Sequence, residues 1–245
     1  EFSKKYTKGL QDYGMIATAK HFPGHGDTQT DSHSSLAMIP SDSTRLWSLE
    51  LKPFATMAEA GVDVVMVAHV HAPDYQPEAD APATLSPFWV TDVLKGRLGF
   101  DGAIITDGMG MGGITKNYSD DYAIVKAVQA GCHIIIQNYD LVGSIDAIEK
   151  AVLDGEISEQ QINSSALKML ELKYKVGLNL NPYVGLDLMM RNISTKRNRE
   201  ASNRIASEAI TLVKDSKGLL PINASPKDTL YIIDIYDQEY KHSRS

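Results

Sequence analysis

Four short stretches of the chain are apolar almost without interruption: MIATAK (15–20), VDVVMVAHV (62–70), GAIITD (102–107) and HIIIQN (133–138). Unbroken runs suit strands covered on both faces, as in a parallel sheet; half-buried strands alternate instead. Helical patterns lie between and after them. STRLWSLELKPFATMAEAG ends at Gly61, and SPFWVTDVLKGRLG offers Ser86 as N-cap with Pro87 at the first helical position. DDYAIVKAVQAG ends at Gly131, and LVGSIDAIEKAVLDG and ISEQQINSSALKMLELKYKVG follow. The opening EFSKKYTKGLQDYG is amphipathic and helical in spacing.

Strand–helix alternation predicts a parallel α/β domain. Two helix ends feed strands through one small motif, AEAGVDVV and VQAGCHII, which favours a (β/α) barrel of repeated units. Such a barrel has eight strands, so four predict the C-terminal part of a (β/α)8 barrel with two open sheet edges. The expected domains are a partial barrel over 1–178, a linker over 179–200, and the beginning of a second α/β domain over 201–245. The linker carries the Asn, Pro and Gly of LNLNPYVGLDLMM, and the second domain holds a helix and turn and then a strand, DTLYIIDIYD.

The composition is that of an ordinary globular protein of 245 residues. A net charge of −7 argues against a nucleic-acid partner, which calls for clustered Lys and Arg. Lone Cys132 excludes an internal disulfide and reads as a buried structural thiol. No apolar run approaches the ~20 residues of a membrane span, and the opening stretch has no signal-peptide pattern. The chain starts inside an element without an initiator Met, so a fragment or a processed product is expected.

Chemistry in a barrel sits at the C-terminal ends of the strands. Those ends carry Lys20 and His21, His69 and His71, Asp107, and Gln137 and Asn138. Asp107 runs from four apolar residues and a Thr into a glycine-rich loop, AIITDGMGMGG. A carboxylate there can attack an electrophilic carbon, or simply cap a helix. The first loop, KHFPGHGDTQTDSHSS (20–35), holds His21, His25, His33, Asp27 and Asp31. Metal ligation, acid/base work, sugar binding and a plain polar loop all remain open on residue type alone.

KHFPGHGDTQTDSH resembles the K-H-F-P-G-H-G-x(4)-D-S-H signature of family 3 glycoside hydrolases, in the β-N-acetylglucosaminidase (β-N-acetylhexosaminidase) branch. PATLSPFWVTDVLKGRLGFDGAIITDGMGMGGI resembles the segment leading into that family's nucleophile, and SEAITLVKDSKGLLPI the entry to its second domain. The resemblance implies Asp107 as nucleophile, His33 as general acid/base with Asp31 as its partner, and Lys20 and His21 as sugar-hydroxyl binders. Met111 keeps the family's methionine and joins them as substrate-binding. For His25 two readings stand side by side, a part in the site and a residue that only orders the loop. Gly108, Met109 and Gly110 depart from the family pattern after the nucleophile and predict a looser loop around Asp107.

The family's sugar-binding Asp and Arg residues would lie upstream of residue 1, which predicts an incomplete pocket. By resemblance the reaction is retaining hydrolysis of terminal β-linked N-acetylglucosamine, without metal or other cofactor. The expected partners are a muropeptide of the cell wall or a chitin-derived oligosaccharide, and another chain or segment that completes the barrel. Phosphate in place of water is compatible with a histidine acid. The location is open between the cytoplasm and an exported or cell-envelope site, the latter favoured because members with the second domain are often exported. The competing readings are an inactive or sugar-binding fragment, and a metal-dependent hydrolase using the histidine loop.

Overall fold

The structure is a computed structural model. It describes residues 1–245 except 29, 33, 78–80, 138, 139, 217, 224, 226–228 and 230–245. Two compact units are present, Glu1–Tyr183 and Val184–Ser245.

In the first unit α1 (Phe2–Asp12) leads into β1 (Thr18–Phe22) and β2 (Ala37–Met38). A short α2 (Ser43–Arg45) runs through a π-helical turn (Leu46–Glu50) into α3 (Lys52–Glu59). Then come β3 (Val64–Val67), β4 (Val70–His71), a 3-10 turn (Ala83–Leu85) and a second π-helical segment (Phe88–Arg97). The unit continues with β5 (Ala103–Gly108), α4 (Gly112–Thr115), α5 (Asp120–Ala130), β6 (Ile134–Ile136), α6 (Leu141–Leu153) and α7 (Glu159–Lys175). A four-stranded parallel sheet has the order β1-β3-β5-β6, and β2 pairs with β4 in a second parallel pair. These are four successive β/α units, consistent with an arc of a (β/α)8 barrel.

The central strands β3 and β5 are buried on both faces, as their unbroken apolar runs require. The edge strands β1 and β6 are only partly covered. Three boundaries differ from the sequence pattern. β1 begins at Thr18 rather than Met15, because Met15 is exposed and the fully buried Phe22 anchors the strand's far end. The run 62–70 is two strands, not one. The Thr84 hydroxyl lies 3.2 and 2.8 Å from the carbonyls of Val67 and Ala68, at the point where β3 ends. The chain then turns, and β4 pairs with β2 instead. Two helical patterns are wound partly with five-residue turns. Ser86 nevertheless caps the second, its Oγ accepting the Trp89 N–H at 3.3 Å.

The core centres on Phe22, which meets Phe54 and Trp89 edge-on at 5.3 and 5.9 Å. Such pairs add about 1 kcal/mol each beyond area burial. Trp89 hides its indole N–H on Gln76 Oε1, 2.9 Å away. Cys132 is buried, its thiol pushed up to about 12 by desolvation, as a structural thiol should be.

The second unit contains α8 (Leu186–Asn192) and α9 (Lys196–Ala209). α8 lies within the stretch read as a linker. Thr195 caps α9 by accepting the Asn198 N–H at 3.2 Å, and the Asp215 carboxylate holds the following turn through the N–H groups of Leu219 and Leu220. Apart from Thr229, the strand expected over DTLYIIDIYD lies outside the described residues.

Candidate active site

Asp107 is the penultimate residue of β5, on the C-terminal rim of the sheet. Its Oδ1 accepts the Gly108 N–H at 2.8 Å. Its Oδ2 faces His21 Nε2 at 3.7 Å. The next helix, α4, begins only at Gly112, with Met111 as its N-cap, so Asp107 does not cap a helix. The carboxylate is largely shielded, and a single oxygen is spent on its own backbone.

Gly108 is not loose. Its carbonyl accepts from His69 Nε2 at 2.9 Å and from the Met111 N–H at 3.0 Å. A Cβ at this position would lie 2.0 Å from Gln137 Oε1, so the Gln137 side chain occupies the volume that another residue's side chain would take. The looser loop predicted from the glycines is therefore corrected: packing and two hydrogen bonds replace the missing side chain. Met111 itself is buried and anchors the first turn of α4, its carbonyl taking the N–H groups of Ile114 and Thr115.

Lys20 stands exposed on β1, one residue before His21. The His21 and His25 rings meet edge-on at 6.1 Å. His25 spans its own loop, Nδ1 to Thr28 Oγ1 at 2.6 Å and Nε2 to Ser32 Oγ at 2.7 Å. With both nitrogens engaged inside the loop, His25 orders it. Asp31 is exposed, and its carbonyl accepts the N–H groups of Ser34 and Ser35 in a tight turn. His33 and Asn138 lie outside the described residues. Among the described residues no group of three or more His, Cys, Asp or Glu is arranged to hold a metal ion.

His69 is wholly buried, and desolvation holds its imidazole below the ordinary histidine range. A carbonyl can only accept, so Nε2 carries the proton to Gly108, and Nδ1 faces Thr84 Oγ1 at 2.9 Å. His71 is also buried, with Nδ1 3.2 Å from the Ala81 carbonyl. The sequence placed both histidines at a strand end. It contained no signal for Thr84 or Gly113, which act through contacts between distant loops.

Comparison with known proteins shows the family. A β-hexosaminidase of Psychromonas ingrahamii is 32% identical over 74% of this chain and 52% of its own. A β-N-acetylglucosaminidase/β-glucosidase of Cellulomonas fimi is 27% identical over 94% of this chain and 42% of its own. The chain thus spans about half the length of the curated relatives it matches. Among solved structures, a family 3 β-N-acetylglucosaminidase of Paenibacillus sp. str. FPU-7 superposes with a TM-score of 0.77 and 38% identity. It covers 86% of this chain and 40% of its own. A β-glucoside phosphorylase superposes with a TM-score of 0.83 at 26% identity, covering 89% of this chain and 41% of its own. Residues 1–172 match the glycosyl hydrolase family 3 N terminal domain, and the chain belongs to that family.

Proposed function

We propose that this site removes terminal β-linked N-acetylglucosamine with retention, through a covalent glycosyl-enzyme on Asp107. The observation that carries the reading is the placing of the Asp107 carboxylate. It stands at the rim of β5, fixed through Oδ1, with Oδ2 turned towards His21. The names of the relatives support the sugar.

In the first step an Asp107 oxygen bonds to the anomeric carbon while the glycosidic C–O bond breaks. The leaving oxygen takes the proton of His33. In the second step water attacks the same carbon and passes a proton to His33. The ester bond to Asp107 breaks, and two inversions give net retention. A histidine suits the acid/base role because its ordinary value of ~6.5 lets it carry and release a proton near neutrality. Asp31 orients that imidazole and stabilises its charged form. Lys20 and His21 bind sugar hydroxyls, and Met111 lines the site. The natural glycan is a muropeptide or a chitin-derived oligosaccharide.

The test is release of 4-nitrophenol from 4-nitrophenyl N-acetyl-β-glucosaminide by the full chain and by Asp107→Ala. Turnover that vanishes in the variant supports the reading, and turnover that survives refutes the nucleophile. No turnover in either means that the chain carries catalytic groups without a working pocket. The likeness to a β-glucoside phosphorylase favours one second reading, in which phosphate replaces water. Sugar 1-phosphate formed on adding inorganic phosphate would identify it.

A further inference from the structure

The reaction above gives His69 no part, yet it bonds to the residue after Asp107 and is joined to the first loop through Gly113. It is fully buried on the C-terminal side of β3. Nε2 donates to the Gly108 carbonyl, the residue after the nucleophile. Gly108 has no Cβ, so hydrogen bonds rather than a side chain must fix its backbone. Its N–H holds Asp107 Oδ1, which links the Gly108 backbone to the setting of the carboxylate.

On the other side His69 packs against Gly113. A Cβ at Gly113 would come 3.1 Å from His69 Cβ, 3.1 Å from the Ser32 carbonyl and 3.5 Å from that of Ser35. The Gly113 N–H also donates to the Ser32 carbonyl at 3.1 Å. One glycine therefore separates His69 from the turn of Asp31–Ser35.

Resting on the assignment of Asp107 as nucleophile, we infer that His69 is a positioning residue. It sets the nucleophile segment through the Gly108 carbonyl and, through Gly113, the loop that bears the acid/base. It touches no reacting atom. Misplacing reacting groups by about 1 Å costs on the order of 100-fold in rate, so the effect belongs in kcat.

The experiment compares the full parent chain with His69→Leu, which fills the space without a donor, and with His69→Gln, whose amide can still donate to Gly108. Hydrogen exchange and aryl-glycoside turnover are both read. In His69→Leu, amides of 108–113 and 31–35 should exchange faster while those of β3 and β5 stay protected. kcat should fall about 100-fold with KM near the parental value. His69→Gln should restore the protection of 108–113 and part of kcat. Exchange unchanged, or raised evenly across the sheet, overturns the inference, because that is what a merely structural histidine would give. So does a fall in activity carried by KM. A parent chain without turnover counts against the hydrolase reading alone, since the exchange pattern decides the positioning role by itself.

Discussion

His21 Nε2 stands 3.7 Å from Asp107 Oδ2, although β3 lies between the strands that carry them. Strands two places apart in a flat sheet are separated by about 9.6 Å. The side chains meet because, in a sheet curled into an arc of a barrel, inward-facing residues of alternate strands share one layer. That curvature turns residues 86 positions apart in the chain into neighbours.

His21 should therefore matter to the setting of the Asp107 carboxylate as well as to the sugar binding proposed for it. His21→Ala is expected to lower kcat/KM by about 10-fold or more, a loss of roughly 1.4 kcal/mol of transition-state binding. Steady-state kinetics on the aryl N-acetylglucosaminide checks it, and a parental kcat/KM would remove His21 from the site.

Gly113 is required for space. An alanine methyl would press on His69 Cβ and the Ser32 carbonyl, both 3.1 Å from the position it would take. Overpacking of this kind costs about 1–3 kcal/mol. Urea unfolding of Gly113→Ala should show that loss; an unchanged midpoint would mean that the 31–35 turn yields freely.

Asp63 joins three elements beneath the sheet. Its carboxylate accepts from the Ala17 N–H at 3.0 Å and Gln11 Nε2 at 2.9 Å, and pairs with Lys175. Burial would raise its titration, but the Ala17 N–H, the Lys175 ammonium and the Gln11 amide outweigh burial and hold it below the ordinary value. Asp63→Ala should cost about 2–3 kcal/mol, since it leaves a buried N–H without its acceptor. Lys175→Met should cost less, because that lysine is half exposed. Equal losses in the two variants would show that the ion pair, not the backbone bond, carries the stability.

Stability should fall in mild acid. Burial, and then the Lys95 ammonium, hold His133 down to about 4 against an ordinary 6.5. The unfolded chain takes up a proton below about pH 6.5 that the folded chain refuses until about pH 4. The contribution is therefore complete above 6.5 and is lost as pH falls to about 4. His69, also depressed by burial, acts in the same direction. His133→Leu should flatten the pH dependence between 6.5 and 4. At neutral pH it should cost about 1–3 kcal/mol, because the Ile104 N–H loses the Nδ1 acceptor 2.9 Å away. Thermal unfolding across that range checks it, and an unaltered slope would assign the acid sensitivity elsewhere.

Residue type and period were enough for the parallel α/β class, the helix ends at Gly61 and Gly131, and the described rim residues, because burial on both faces, helix caps and strand ends are local matters. The sequence motifs also sufficed for the family. The tertiary structure decided the rest. It alone broke the run 62–70 into two strands, since β3 pairs with β1 and β5 while β4 pairs with β2. It filled the space beside Gly108 with Gln137, the residue that follows the neighbouring strand β6. It also brought His21 to Asp107 and tied His69 to the Gly108 carbonyl. Each of these depends on which strands lie side by side and how strongly the sheet curls, and neither can be read from a linear pattern of apolar and polar residues.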